Sequence, residues 1–192
     1  KERFAIVLFF NKKFKEAANL LQQVQAINGD QSVLFRIRGY IAYETGDFQQ
    51  GLQYMEQFFR MEQPAKIILT DYLYDAQILE KCGKEFQAME NYQKAIELDR
   101  TKTEIYGELA RLAAKNRLHG EAAGYYRKMA DLGSDEVVGS FQIGKEYYFE
   151  GENWKARFDS LKERQKTGTN NSADGPVEQQ KMKYYYSLAD SA

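Results

Sequence analysis

The sequence is poor in helix breakers and in residues that carry redox or metal chemistry. Prolines number two in 192 residues. Gln, Glu, Lys, Leu and Ala are abundant while Val and Thr are scarce, which argues against a β-rich domain and for an all-helical chain. A single cysteine, Cys82, excludes an intrachain disulfide and leaves the redox compartment open. A single histidine, His119, leaves any histidine-built metal site without a second ligand of its type. The 27 basic and 28 acidic side chains are interspersed, with formal net charge −1, so there is no basic footprint for nucleic acid. No apolar run approaches the roughly 20 residues that cross a bilayer. The first residue is Lys1 and the last, Ala192, falls within a helical pattern, so the expectation is a piece of a longer protein, and the missing leader says nothing about address.

What the chain does have is a period. Ala17, Gly51, Ala88, Ala122 and Ala156 stand 34, 37, 34 and 34 residues apart, and Ala5, Gly39, Ala76, Ala110 and Gly144 keep the same beat twelve residues upstream. One unit therefore recurs five times, with three residues inserted after the second. Such a period means stacked supersecondary units, none able to bury its apolar face alone.

Large residues alternate with the small ones: Phe35, Tyr72 and Tyr106 in the first helix of a unit, Phe14 and Phe48 past the turn, Leu21, Met55, Tyr92 and Tyr126 in the second. Large against small at fixed offsets lets two antiparallel helices approach closely. Gly46, Gly83 and Gly151 mark the turn between them, where a left-handed residue must end the helix. Lys12 and Arg117 hold that position in the other two units, whose turns are expected to be less tightly specified.

These residues resemble the tetratricopeptide repeat, in which small residues stand at the eighth and twentieth of 34 positions. Glycine stands near the fifteenth, and aromatics at the fourth, seventeenth and twenty-fourth. The segments FRIRGYIAYETGDFQQG from Phe35 and AQILEKCGKEFQAMENYQKAIELDR from Ala76 are the clearest copies. The resemblance implies an α-α superhelix, a solenoid of five helix-turn-helix repeats over 1–31, 32–68, 69–102, 103–136 and 137–166, then a polar loop at 167–175 and a C-terminal helix at 176–192. The aromatic-rich style, with its YYF and ADSA segments, also resembles repeat proteins of Bacteroidetes-type bacteria, which are often exported to the envelope.

Beyond Gly151 two architectures fit. In the favoured one, Trp154, Phe158 and Leu161 form the apolar stripe of the fifth unit's second helix, and the last helix covers the stack. In the other, residues 152–183 are an insertion and Ala189 takes the twentieth position of the true second helix. A sixth repeat is excluded, because its first helix would have to cross NNSADGP. The apolar YYYSLADSA end gives an expectation of a homodimer through that last helix.

No catalytic, cofactor or metal constellation is legible, and no enzyme is expected. His119 sits where other copies carry Phe14 and Phe48, which reads as a packed ring. The glycine turns lack the strand and lysine-serine ending of a phosphate loop. The resemblance instead implies a concave groove lined by first helices. Carried over position by position, it nominates Arg36, Tyr40 and Tyr43, then Gln77 and Lys81, then Arg111 and Lys115, then Lys145 and Tyr148 as partner-binding residues. Phe9, Phe10, Glu44, Val138, Phe141 and Phe149 fall in the same lining. The cations suggest an acidic and apolar peptide, the tyrosines flat amphipathic contact. The carboxylate clamp of chaperone-binding members is not assembled in any register: none brings the donors together, and in the registers that start at the second and third repeats Glu104 or Glu108 would repel the ligand. The function expected is a non-enzymatic scaffold or adaptor for a protein or peptide partner. The alternatives are a glycan-binding module using Tyr40, Tyr43 and Tyr148, or a purely structural part of a larger protein.

Overall fold

Helix ends are set by short local signals. Gly46 (φ 84°) closes one helix in the left-handed region, and Asp47 opens the next by accepting the Gln50 N–H at 3.4 Å. The same stop recurs at Gly83 (φ 74°), and also at Lys12 (φ 59°) and Arg117 (φ 61°), which take the glycine conformation without being glycine. All four turns carry one equivalent backbone bond: Lys13 to Leu8, Asp47 to Ala42, Lys84 to Leu79 and Leu118 to Ala113, each at 2.8–2.9 Å.

The computed structural model describes residues 2–133, 136–166 and 175–192, without the side chains of 136–138 and 165–166. The side chain of Val138, and residues 167–174 of the expected polar loop, thus lie outside what it describes. The chain forms two compact units, Lys1–Arg100 and Thr101–Ala192. The first holds α1 (Glu2–Phe10), α2 (Phe14–Asn28), α3 (Ser32–Thr45), α4 (Phe48–Met61), α5 (Leu69–Lys81) and α6 (Glu85–Leu98). The second holds α7 (Thr103–Lys115), α8 (His119–Asp131), α9 (Glu136–Lys166) and α10 (Gly175–Asp190). Every described element is helical. The three-residue insertion in the period is a single 3-10 turn, Pro64–Lys66, between α4 and α5.

Small residues sit where helices touch. Ala5, Ala17, Ala76, Ala88, Ala110 and Ala122 are each fully buried. A Cβ on Gly39 would lie 2.5 Å from Met55 Sδ, and one on Gly51 would lie 3.3 Å from both Ala42 Cβ and Ile78 Cδ1. Around these contacts Leu21, Leu34, Met55, Phe58, Ile78, Leu109 and Leu112 lose almost all exposure, each burial favouring the fold by about 1.5–3 kcal/mol.

The last helix pair departs from the favoured reading. No turn forms at Gly151, and α9 runs through it as one helix of 31 residues. Ala156, expected in a tight contact, is exposed. The residue facing Gly144 is Ala189, whose carbonyl would stand 3.2 Å from an added Cβ. Gly151 is needed for close approach rather than for a turn: a Cβ there would meet the Tyr186 ring at 2.9 Å. The partner of the first half of α9 is therefore the end of α10, as the insertion architecture has it. Residues 152–166 lengthen the hairpin by about four turns. Trp154 is held there by its own Nε1–H donated to Glu150 at 2.8 Å, with Lys181 of α10 4.1 Å from its ring centre.

The apolar side of α10 is used within the chain. Tyr185, Leu188 and Ala189 pack on a cluster of Ala123, Ile143 and Tyr147. The three α10 side chains are only partly buried, and Tyr184 and Val177 of the same helix are exposed.

Candidate functional site

In the first unit the first helices bring an aromatic cluster together. Phe9 of α1, Tyr40 and Tyr43 of α3 and Tyr74 of α5 contact one another: Tyr40 stacks on Tyr74 at 4.0 Å, Tyr43 meets it edge-on at 5.5 Å, and Phe9 lies 5.9 Å from Tyr40. Phe10 adjoins Phe9 at 5.4 Å and is 76 % exposed. The Tyr74 hydroxyl donates to Glu44 at 2.9 Å. Burial first, then the Glu44 bond, pushes the Tyr74 phenol well above its usual range.

Beside the rings stands a buried ion pair. Arg36 Nη2 donates to Asp71 Oδ2 at 2.9 Å and to the Lys66 carbonyl at 3.0 Å, while its Nε lies 2.8 Å from Oδ1 without an aligned hydrogen bond. The guanidinium also lies 4.6 Å over the Phe58 ring. Asp71, in the first turn of α5, further accepts the Ile68 N–H at 2.8 Å and the Tyr40 hydroxyl. Burial raises the Asp71 carboxyl despite these donors, which oppose the shift. Burial, then the Asp71 charge, raises the Tyr40 phenol as well.

This placement corrects two readings of the nominated residues. Tyr40 is buried at 6 % exposure, one ring face covered by Tyr74, so it is not an open platform. Arg36 neutralises a carboxylate that has lost its water, and it is not a spare donor for a ligand. Tyr43 and Gln77 are half-buried and Lys81 is exposed in the last turn of α5.

In the second unit, Arg111 is paired within its own helix to Glu108, by Nε at 2.8 Å and Nη2 at 2.6 Å. Lys115 is exposed, and Lys145 Nζ lies 3.6 Å from buried Glu146. The basic strip is thus partly balanced by carboxylates. Tyr148 is half exposed, 5.8 Å from the Tyr186 ring, and Phe141, two turns earlier on α9, is 68 % exposed. His119 opens α8 with Nδ1 2.6 Å from Glu146 Oε2 and its ring 5.2 Å from Phe149, the packed ring expected at that position.

Three residues of these contacts escaped the sequence reading: Asp71, Tyr74 and Glu146. For the two acids a signal was there, in carboxylates at positions that are apolar in other copies. Asp71 is equivalent to Leu34 and Ile105, and Glu146 to Ile41, Ile78 and Leu112. A buried acid at an apolar position must have a partner. Among the described residues, no three His, Cys, Asp or Glu side chains converge to hold a metal ion, and no helix is long and apolar enough to cross a membrane.

Paired helices repeating at about 34 residues, closed by small residues at fixed positions, define the fold as that of tetratricopeptide-repeat (TPR) proteins. Solved structures agree. The C-terminal part of a TPR repeat-containing protein from Cytophaga hutchinsonii matches with TM-score 0.67 at 21 % identity, over 100 % of this chain and 78 % of that one. YrrB, described as a TPR protein with an unusual peptide-binding site, matches with TM-score 0.66 at 14 % identity, over 98 % and 88 %. MamA matches with TM-score 0.62 at 13 % identity, over 97 % and 92 %. At such identities the likeness carries the fold. No protein-family model and no curated protein matches the sequence.

Proposed function

We propose that the chain is a protein-interaction scaffold that holds a segment of a partner protein against first-helix surfaces. The observation that carries this is the exposure of aromatic rings there: Phe10 beside the Phe9–Tyr43–Tyr74 cluster in one unit, Phe141 and Tyr148 in the other. Such rings give contact area at a small entropic cost, and the surrounding Glu44, Lys81 and Lys145 supply polar specificity. Peptide recognition by YrrB supports the reading by analogy of fold alone. The glycan alternative is weaker, since it needs Tyr40 as an open ring face.

The test is peptide-display selection on the immobilised chain, repeated with a Phe10→Ser, Tyr43→Ala variant and a Tyr148→Ala variant of unchanged helical signal. Peptides retained by the parent and lost by either variant place binding on that unit's first helices. Selection that yields no peptide, or peptides indifferent to both variants, removes the reading.

A further inference from the structure

On the side of the second helices, a cleft of about 390 Å³ opens between α4 and α6, with α5 beneath. Asp75 lies at its bottom, 8 % exposed. Asn91 Nδ2 donates to Asp75 Oδ2 at 2.6 Å and is, among the described residues, the one hydrogen-bond partner of that carboxylate. Asp75 lines the open cleft, and among the described residues its Oδ1 accepts no hydrogen bond. Repeat packing does not call for an acid here, because Arg38, Leu109 and Ile143 hold the equivalent position in other copies.

The walls add charge and a flat surface. Glu56 of α4 and Glu90 of α6 are exposed at the cleft, and Phe59 of α4 presents a half-buried ring stacked on Tyr72 at 5.5 Å. Lys94 of α6 also lines the cleft, but its ammonium lies 5.8 Å over the Tyr72 ring, and no ion pair joins it to Asp75. A desolvated carboxylate with a free oxygen, beside an aromatic ring, is complementary to a planar cation with several donors.

We propose that this cleft accepts an arginine side chain presented by a protein partner. The guanidinium bonds Asp75 Oδ1 and lies against Phe59, with Glu56 or Glu90 at its outer edge. This site is independent of the first-helix reading, since it involves none of the residues tested there. The ligand cation requires ionised Asp75, whose carboxyl is pushed up to about 6 by burial foremost and by Glu56. The Asn91 bond, Lys94 and Lys84 pull it down, and Arg60 at the rim adds positive charge.

The experiment is a titration of the full ¹⁵N-labelled chain with acetyl-Gly-Arg-Gly-amide, followed through the Asn91 side-chain amide. A saturable shift is expected at about pH 7.5, weakened about tenfold near pH 5 as Asp75 takes its proton. The matched lysine peptide should bind less well and the citrulline peptide not at all. Asp75→Asn keeps an acceptor for Asn91, so it is expected to fold and to lose the shift. Phe59→Leu should narrow the preference for arginine over lysine. No Asn91 response to the arginine peptide, or an equal response to citrulline or in folded Asp75→Asn, overturns the proposal.

Discussion

Gly151 of α9 lies against the ring of Tyr186 on α10, so closely that an added methyl would sit 2.9 Å from it. That ring donates its hydroxyl to Glu152 at 2.5 Å, one residue along the same helix. Gly144 meets Ala189 one stage further on. Together these contacts fix the register of the last hairpin.

Gly151→Leu should therefore destabilise the second unit by overpacking, by about 1–3 kcal/mol. Ala156→Leu, on an exposed position, should change stability by no more than about 0.5 kcal/mol. Urea unfolding of the two variants checks the pair. A tolerated Gly151→Leu with a damaging Ala156→Leu would restore the reading in which Gly151 is a turn.

Asp75 predicts a pH dependence whose sign is opposite to that of a salt-bridged acid. Unfolded, it titrates near 3.9, whereas burial holds it at about 6 in the fold. The folded state thus binds the proton more tightly. The ionised group destabilises the fold by roughly 2–3 kcal/mol at most above pH 6, and this penalty fades as pH falls towards 4. Asp75→Asn lacks that slope. The stability of the parent relative to the variant should rise as pH is lowered from about 7.5 to about 4.5, and a constant difference would show that Asp75 does not titrate in this range.

Most of the helix pairing was legible because small residues at a fixed period leave few ways to pack. The three-residue step in that period, placed after the second unit, is taken up by the 3-10 turn Pro64–Lys66. What misled was one coincidence of phase: Ala156 falls 34 residues after Ala122 yet is exposed, and Gly151 occupies a turn position while lying within a helix. A glycine in sequence does not say whether it is needed for a left-handed turn or for room beside a tyrosine. The site was less legible, because a position facing a groove says nothing of who else uses the side chain. Arg36 is held by Asp71, and Tyr40 by Asp71 and Tyr74, and both partners lie more than thirty residues away.

Two arginines nominated for the same role should respond very differently to truncation. Arg36→Ala leaves Asp71, fully buried, without its cation, and should cost about 3–5 kcal/mol. Arg111 and Glu108 are nearly half exposed and three residues apart on one helix, so Arg111→Ala should cost no more than about 0.5 kcal/mol. Denaturant midpoints at equal m-value give the comparison. Similar costs for both would mean that Asp71 is neutral in the fold and that the pairing with Arg36 is of little consequence.

Arg117 and Lys12 offer the clearest route to a more stable chain. Both sit at positive φ, 61° and 59°, in turns whose backbone bonding matches that of the Gly46 and Gly83 turns. A side chain in this region clashes with its own backbone, at a cost of about 1–2 kcal/mol, and glycine avoids it. Glycine also loosens the unfolded chain, which offsets part of the gain. Arg117→Gly and Lys12→Gly should each therefore stabilise by about 0.5–1 kcal/mol, while Gly46→Ala should destabilise by a similar amount. The two gains should add, because the residues lie in separate units, 105 positions apart in the sequence. Thermal unfolding of the single and double variants tests this. A loss on Arg117→Gly would mean that its side chain makes contacts worth more than the strain.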